Sequence, residues 1–153
     1  MSKREEFSAA LKEALKAKDQ VAMSTIRLIL AALKEKDIAA RQTGNAEGVE
    51  DPEILSLLQS MIKQRKESSK TYTDAGRPEL AEREDAEIKV IESFLPQQMG
   101  ESEVSSAIEG IIQEIGASDI KDMGKVMAEL KTRFAGQMDM GKASGLVKEK
   151  LAA

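Results

Sequence analysis

The chain of 153 residues contains no histidine, no cysteine and no tryptophan. Without thiols there are no disulfides and no thiolate nucleophiles. Without imidazole there is no Cys/His zinc site and no histidine acid–base chemistry. No catalytic residue, metal ligand or cofactor is assigned on these grounds. Aromatics are almost as scarce. Phe7, Tyr72, Phe94 and Phe134 are the full set, too few for a platform on which unpaired bases stack. Long apolar runs are missing too: the longest, Val21 to Leu33, has 13 residues and is interrupted by Arg27. A bilayer span needs about 18–20 apolar residues, so no membrane partner is expected. The start, Met1 to Phe7, mixes charges and lacks the apolar core of a secretory leader. Together with the absence of cysteine, this gives the expectation of a cytoplasmic protein.

What the chain does contain is Ala, Leu, Ile, Met, Glu and Lys, the straight-chain and small helix formers. Phe7, Leu11, Ala14 and Leu15 repeat at helical spacing, so residues 3–18 read as an amphipathic helix. Asp19 caps a second helix to about Arg41. The Val21–Leu33 stretch in it is apolar on nearly every face, the pattern of a helix surrounded by others. A polar, Gly-containing loop follows over 42–50. Asp51 as cap and Pro52 at the first helical position start a third helix, which runs to Ala75 and stops at Gly76. Pro78 opens a fourth helix through Phe94. Pro96–Gly100 reads as a linker, giving an amino-terminal four-helix domain over 1–95 and a carboxy-terminal three-helix domain over 96–153. In the second, Ser102 starts a helix with Val104, Ile108, Ile111, Ile112 and Ile115 in phase, ended by Gly116. Two shorter helices cover about Asp122–Phe134 and Asp139–Leu151. No segment alternates apolar and polar residues as a half-buried strand does. The predicted fold is all-α.

Four residues recur. Asp122-Met-Gly-Lys125 returns 17 positions later as Asp139-Met-Gly-Lys142, which reads as one helix start used twice. A Gly and a Lys beside an Asp cap place backbone N–H groups and an ammonium at the positive end of a helix, where a phosphate can sit. Lys121, Lys131, Arg133, Lys148 and Lys150 surround the two starts. Residues 121–153 carry seven Lys and Arg against four Asp and Glu, a local +3 in a chain of net charge −4. The plainer alternative is that Asp caps, Gly allows close helix approach, and the lysines are solvated; charged helix starts are ordinary.

Gly136 to Lys142 also has the spacing of a Walker phosphate loop. However, Ala143 stands where Ser or Thr must reach magnesium, and no strand precedes it. On the third helix Lys63, Lys66 and Lys70 share one face, a possible track for a nucleic-acid backbone but more simply a solvated surface. Arg65 continues the apolar stripe of Ile54, Leu58 and Met61. Arg27 interrupts the second helix, and Glu84 is in phase with Leu80, Ile88 and Ile91, with Glu87 alongside. Buried charges need partners, so an Arg27/Arg65–Glu84/Glu87 ion-pair network is expected within the first domain.

Ser24–Lys34 (STIRLILAALK), Met61–Arg65 (MIKQR), Ala75–Leu80 (AGRPEL), Ala86–Ile88 (AEI), Phe94–Gln98 (FLPQQ) and Lys121–Met127 (KDMGKVM) together resemble the YqeY family over nearly the whole chain. That family is similar in its carboxy-terminal part to the tail domain of the GatB subunit of tRNA-dependent amidotransferases. There the tail engages the body of the tRNA, and a YqeY-like appendage on some glutaminyl-tRNA synthetases is held to aid tRNA binding. The resemblance implies a tRNA contact at Gly124 and Lys125, with Val126 and Met127 structural, and then at Asp139, Gly141 and Lys142. It also implies an association with carbon–nitrogen ligases that use glutamine as amide donor. The chain lacks the kinase-like cradle of GatB and the Ser-Ser-Lys amidase partner subunit, so it cannot transfer ammonia alone.

Three functions follow as expectations. The first is a non-catalytic tRNA-binding module that reads phosphates and shape through Lys121, Gly124, Lys125, Lys131, Arg133, Gly141, Lys142 and Lys148. The second is an accessory of an amidotransferase or an aminoacyl-tRNA synthetase. The third is a helical protein-interaction adaptor, which requires an exposed apolar patch.

Overall fold

A computed structural model describes residues 1–152. Seven α-helices follow one another: α1 (Lys3–Ala17), α2 (Gln20–Gln42), α3 (Asp51–Asp74), α4 (Pro78–Glu92), α5 (Glu101–Ile115), α6 (Met123–Phe134) and α7 (Met140–Ala152). A 3-10 turn, Ile120–Asp122, leads into α6. The described residues contain no strand, and no helix is long and apolar enough to cross a membrane. Contacts divide the chain into two units, Met1–Leu95 and Pro96 onward.

Local chemistry explains most helix ends in the amino-terminal unit. The Ser2 hydroxyl accepts the Glu5 N–H at 3.2 Å and the Glu5 carboxylate accepts the Ser2 N–H at 2.9 Å, a reciprocal box that starts α1. Asp19 accepts the Ala22 N–H at 3.1 Å and starts α2. At α3 the expected cap moves by one residue. Glu50 is the cap, without a side-chain bond, and Asp51 and Pro52 lie inside the first turn, where the carboxylate favours the helix dipole and the missing proline N–H has no consequence. α4 ends at Glu92, two residues before Phe94, which closes the core from the following turn.

Phe7, Ile29, Ile54, Leu58 and Ile91 are fully buried at the centre of this unit. The Phe7 and Phe94 rings meet edge to face, 4.9 Å between centroids. α2 is not enclosed on all sides, contrary to its apolar composition. Ile26, Ile29 and Leu33 face the core, while Val21, Leu28 and Ile38 are 40–48% exposed. A helix at the edge of a four-helix unit buries one stripe only, and here the opposite face stays apolar without neighbours.

In the carboxy-terminal unit Ile108, Ile111, Val126, Leu130, Ala143 and Val147 form a second core. α5 begins one residue before Ser102. The extended backbone of Gly100 is its cap, and the serine hydroxyl plays no capping part. Residues 98 and 99 belong to this unit: the Gln98 side-chain amide donates to the Gly136 carbonyl at 2.6 Å, and the Met99 N–H to the Gln137 carbonyl at 2.9 Å.

Candidate functional site

The two copies of Asp-Met-Gly-Lys fold differently. Asp139 acts as a helix cap: one carboxylate oxygen accepts the N–H of Gly141 at 2.8 Å and of Lys142 at 3.2 Å. Asp122 caps nothing ahead of it. It ends the 3-10 turn and reaches backwards to the N–H groups of Ser118, at 2.9 Å, and Asp119, at 3.4 Å. Asp119 is the real cap there and accepts the Lys121 N–H at 2.8 Å. These backbone donors, Ser118 first and Asp119 second, hold the Asp122 carboxyl below its ordinary range. One start used twice is therefore a correction: the tetrapeptide is the cap of α7 and the tail of a turn before α6.

This arrangement decides how an anion could be met. The backbone donors of Lys121, Gly141 and Lys142 already have carboxylate partners within the chain. The Walker-like spacing ends in the same way, with Asp139 occupying the amides that a phosphate would use. Contact through open helix ends is set aside at these positions, and the side chains remain.

Among those, Arg133 is engaged. It pairs with Glu114 at 2.7 Å and Glu129 at 3.1 Å, and the Glu114 carboxyl is lowered chiefly by this bond. Lys150 pairs with Glu109 of α5 at 2.6 Å. Lys121, Lys125, Lys131, Lys142 and Lys148 are exposed, and none has an ion-pair partner among the described residues. Lys142 stands at the edge of a largely apolar groove of about 560 Å3 between α5 and α7, beside Glu101, Asp139 and Glu149. Its surroundings are thus acidic; Lys121 and Lys125 stand four residues apart on the way into α6, with Asp119 and Asp122 beside them.

The glycines of the two copies also differ. A side chain at Gly141 would meet the Asp139 carboxylate at 3.2 Å, so this glycine makes room for the cap. Gly124 is exposed, and a β-carbon there would meet nothing within 4 Å. Close helix approach does not explain Gly124. It leaves a bare strip of backbone beside Lys125.

In the amino-terminal unit, Lys63, Lys66 and Lys70 are exposed along α3 and unpaired among the described residues. Of the expected four-charge network one pair forms. Arg65 Nε lies 3.0 Å from Glu87 Oε2, with both side chains only 13–14% exposed, and Arg65 Nη1 donates to the Met61 carbonyl at 3.1 Å. Arg83 approaches Glu87 from outside at 3.8 Å. Arg27 is exposed and Glu84 half-buried, and neither reaches an opposite charge among the described residues. Arg27 lies on the uncovered face of α2, which removes it from the network.

A second pair, with a buried carboxylate and a partly exposed guanidinium, escapes the sequence reading. Asp37, 8% exposed, receives both Arg4 guanidinium nitrogens at 2.7 and 2.8 Å and the Val49 N–H at 3.0 Å, while Arg4 also donates to the Val49 carbonyl at 2.9 Å. The Arg4 bonds, helped by Val49 and opposed by burial, pull the Asp37 carboxyl down to about 2. Gly48, at φ +91°, brings the loop against it; a β-carbon there would clash with the Asp37 carboxylate. This clamp ties α1, α2 and the loop together. Its sequence signal is phase: Asp37 follows Leu33 by four on the buried stripe of α2.

The YqeY profile, described as Yqey-like protein, matches residues 4–151. Among curated proteins the chain is similar to Altered inheritance of mitochondria protein 41, mitochondrial, of Lachancea thermotolerans (31% identical, covering 71% of this chain and 57% of that protein). The protein of the same name from Pyrenophora tritici-repentis is 33% identical, covering 83% and 70%. That from Eremothecium gossypii is 26% identical, covering 94% and 77%. The chain thus spans little more than half the length of the first of these relatives. The expected cytoplasmic location is overturned by these findings, because the relatives are named as mitochondrial proteins. A cysteine-free composition does not distinguish compartments. With the profile covering all but the first three and last two residues, the chain belongs to the Yqey-like protein family.

Proposed function

We propose that the carboxy-terminal unit is a non-catalytic tRNA-binding module that meets the phosphate backbone through lysine side chains of the turn before α6 and of α6 itself. The observation that supports this reading is the pairing of Gly124 with its neighbours. A helical glycine costs about 1 kcal/mol relative to alanine, yet Gly124 has neither a positive φ nor a packing neighbour to require it. Beside it stand Lys121 and Lys125, both exposed; neither has a carboxylate within ion-pairing distance among the described residues, and Lys125 acts on Asp122 only through space. Bare backbone flanked by ammonium groups suits close approach of a sugar-phosphate chain. The scarcity of aromatics leaves phosphate and shape as the means of recognition. Lys131 extends the same cationic contribution along α6, and Lys142 and Lys148 contribute from α7.

Filter binding with unfractionated tRNA tests the reading. The wild type retains tRNA at low salt, and Lys121→Glu combined with Lys125→Glu lowers the affinity at least about tenfold. Reversal of Lys63 and Lys66 on α3 leaves it within about twofold. Equal loss from both pairs, or from neither, contradicts the assignment.

A further inference from the structure

The uncovered face of α2 has an order that neither the core nor the lysines of α6 explain. Val21, Ser24, Leu28, Ala31, Glu35 and Ile38 succeed one another at alternating spacings of three and four, the seam spacing of helix-on-helix packing. All six are exposed, and the three large apolar members are 40%, 48% and 45% exposed. Ser24 and Ala31 are small enough to let another backbone come close. Glu35 is the one charge in the seam. Along one flank run Arg27, Lys34 and Arg41, seven residues apart and therefore in a single row. All three are exposed, and none has a carboxylate within ion-pairing distance among the described residues; Arg41 acts on Asp37 only through space. The other flank (Thr25, Ala32, Ala39) carries no charge.

We infer that this face docks an amphipathic helix of a partner protein that presents an apolar seam bordered by a row of carboxylates. Charge chooses the occupant. A second copy of this chain would bring two basic rows together in an antiparallel pairing, and in a parallel one would set the basic row against the uncharged flank. Neither arrangement supplies carboxylates. A membrane surface would accept the basic row but calls for a broad apolar face with aromatic anchors, and this seam is narrow and has none. A nucleic-acid backbone would leave Val21, Leu28 and Ile38 unused. An acidic helix of heptad pattern satisfies both features at once.

The test uses the full chain and a fluorescein-labelled synthetic peptide of about three heptads, with Leu at the two seam positions and Glu at both flanking positions. Like charges on both flanks keep this peptide from pairing with itself. Fluorescence anisotropy shows saturable binding that Leu28→Glu weakens at least about tenfold and that Arg27→Glu with Lys34→Glu weakens similarly. The same peptide with Lys at the flanking positions binds at least about tenfold more weakly. Because all three substituted residues are exposed, thermal melts of the variants stay close to wild type, which separates lost docking from lost folding. The Lys121→Glu/Lys125→Glu variant keeps full peptide binding, so failure of the tRNA reading does not touch this one. Absence of binding, or equal binding of both peptides, overturns the proposal. So does a dimer of the chain alone that Leu28→Glu dissolves, or capture by phosphatidylserine vesicles or tRNA that the same substitution abolishes.

Discussion

A charge inside an apolar run is buried only if it is in phase with the residues that face the core. Arg27 and Asp37 lie on the same helix; Asp37 continues the Leu33 position by one helical repeat, while Arg27 falls on the opposite side, and only Asp37 is buried. The carboxyl of Asp37, ordinarily near 3.8, is held at about 2 in the folded chain. A group whose pKa is depressed on folding stabilises at pH above its unfolded value, and that contribution is lost as pH falls from about 4 toward 2. Asp37→Asn is therefore predicted to lower stability at neutral pH by about 1–2 kcal/mol and to flatten the acid side of the stability profile, measured by urea titration across pH. A variant as acid-sensitive as wild type would remove Asp37 from the account. Gly48→Ala forces a β-carbon into the same carboxylate at a backbone angle that disfavours it. The expected loss is about 2–4 kcal/mol, read as the shift in the urea midpoint.

At the scale of elements, identical tetrapeptides took different roles because their neighbours differ. Asp119, three residues before Asp122, closes a reciprocal box with it, so that the second aspartate points backwards. Asp139 has only the loop behind it and is free to cap α7. Asp139→Ala is predicted to cost the carboxy-terminal unit about 1 kcal/mol, as is Asp119→Ala, by thermal unfolding followed by circular dichroism. Gly124→Ala points the other way. It is expected to stabilise α6 by up to about 1 kcal/mol while weakening tRNA retention, a separation that a purely structural glycine would not show. The seven helices and their approximate limits were legible from 3.6-residue periodicity, proline at starts and glycine at stops. Caps at α3 and α5 were misplaced by a residue or two, because several neighbouring residues can cap and packing selects among them. The candidate site was legible as a set of cations. Which of them are neutralised was not, since Glu114 and Glu109 reach Arg133 and Lys150 across distances that no local pattern encodes.

Charge on the whole molecule is unevenly spent. In the carboxy-terminal unit every Lys and Arg lies at or after residue 121, whereas α5 supplies only acids and takes up Arg133 and Lys150. Composition alone, with a net charge of −4, argues against a polyanion partner; the local distribution restores the possibility at Lys121, Gly124 and Lys125. The most direct measurement is the dependence of tRNA affinity on salt for wild type and for Lys121→Glu/Lys125→Glu. The account predicts a log–log slope of about −2 to −3 for wild type, shallower by about 1–2 in the variant. A slope near zero, or one that the double reversal leaves unchanged, would contradict it.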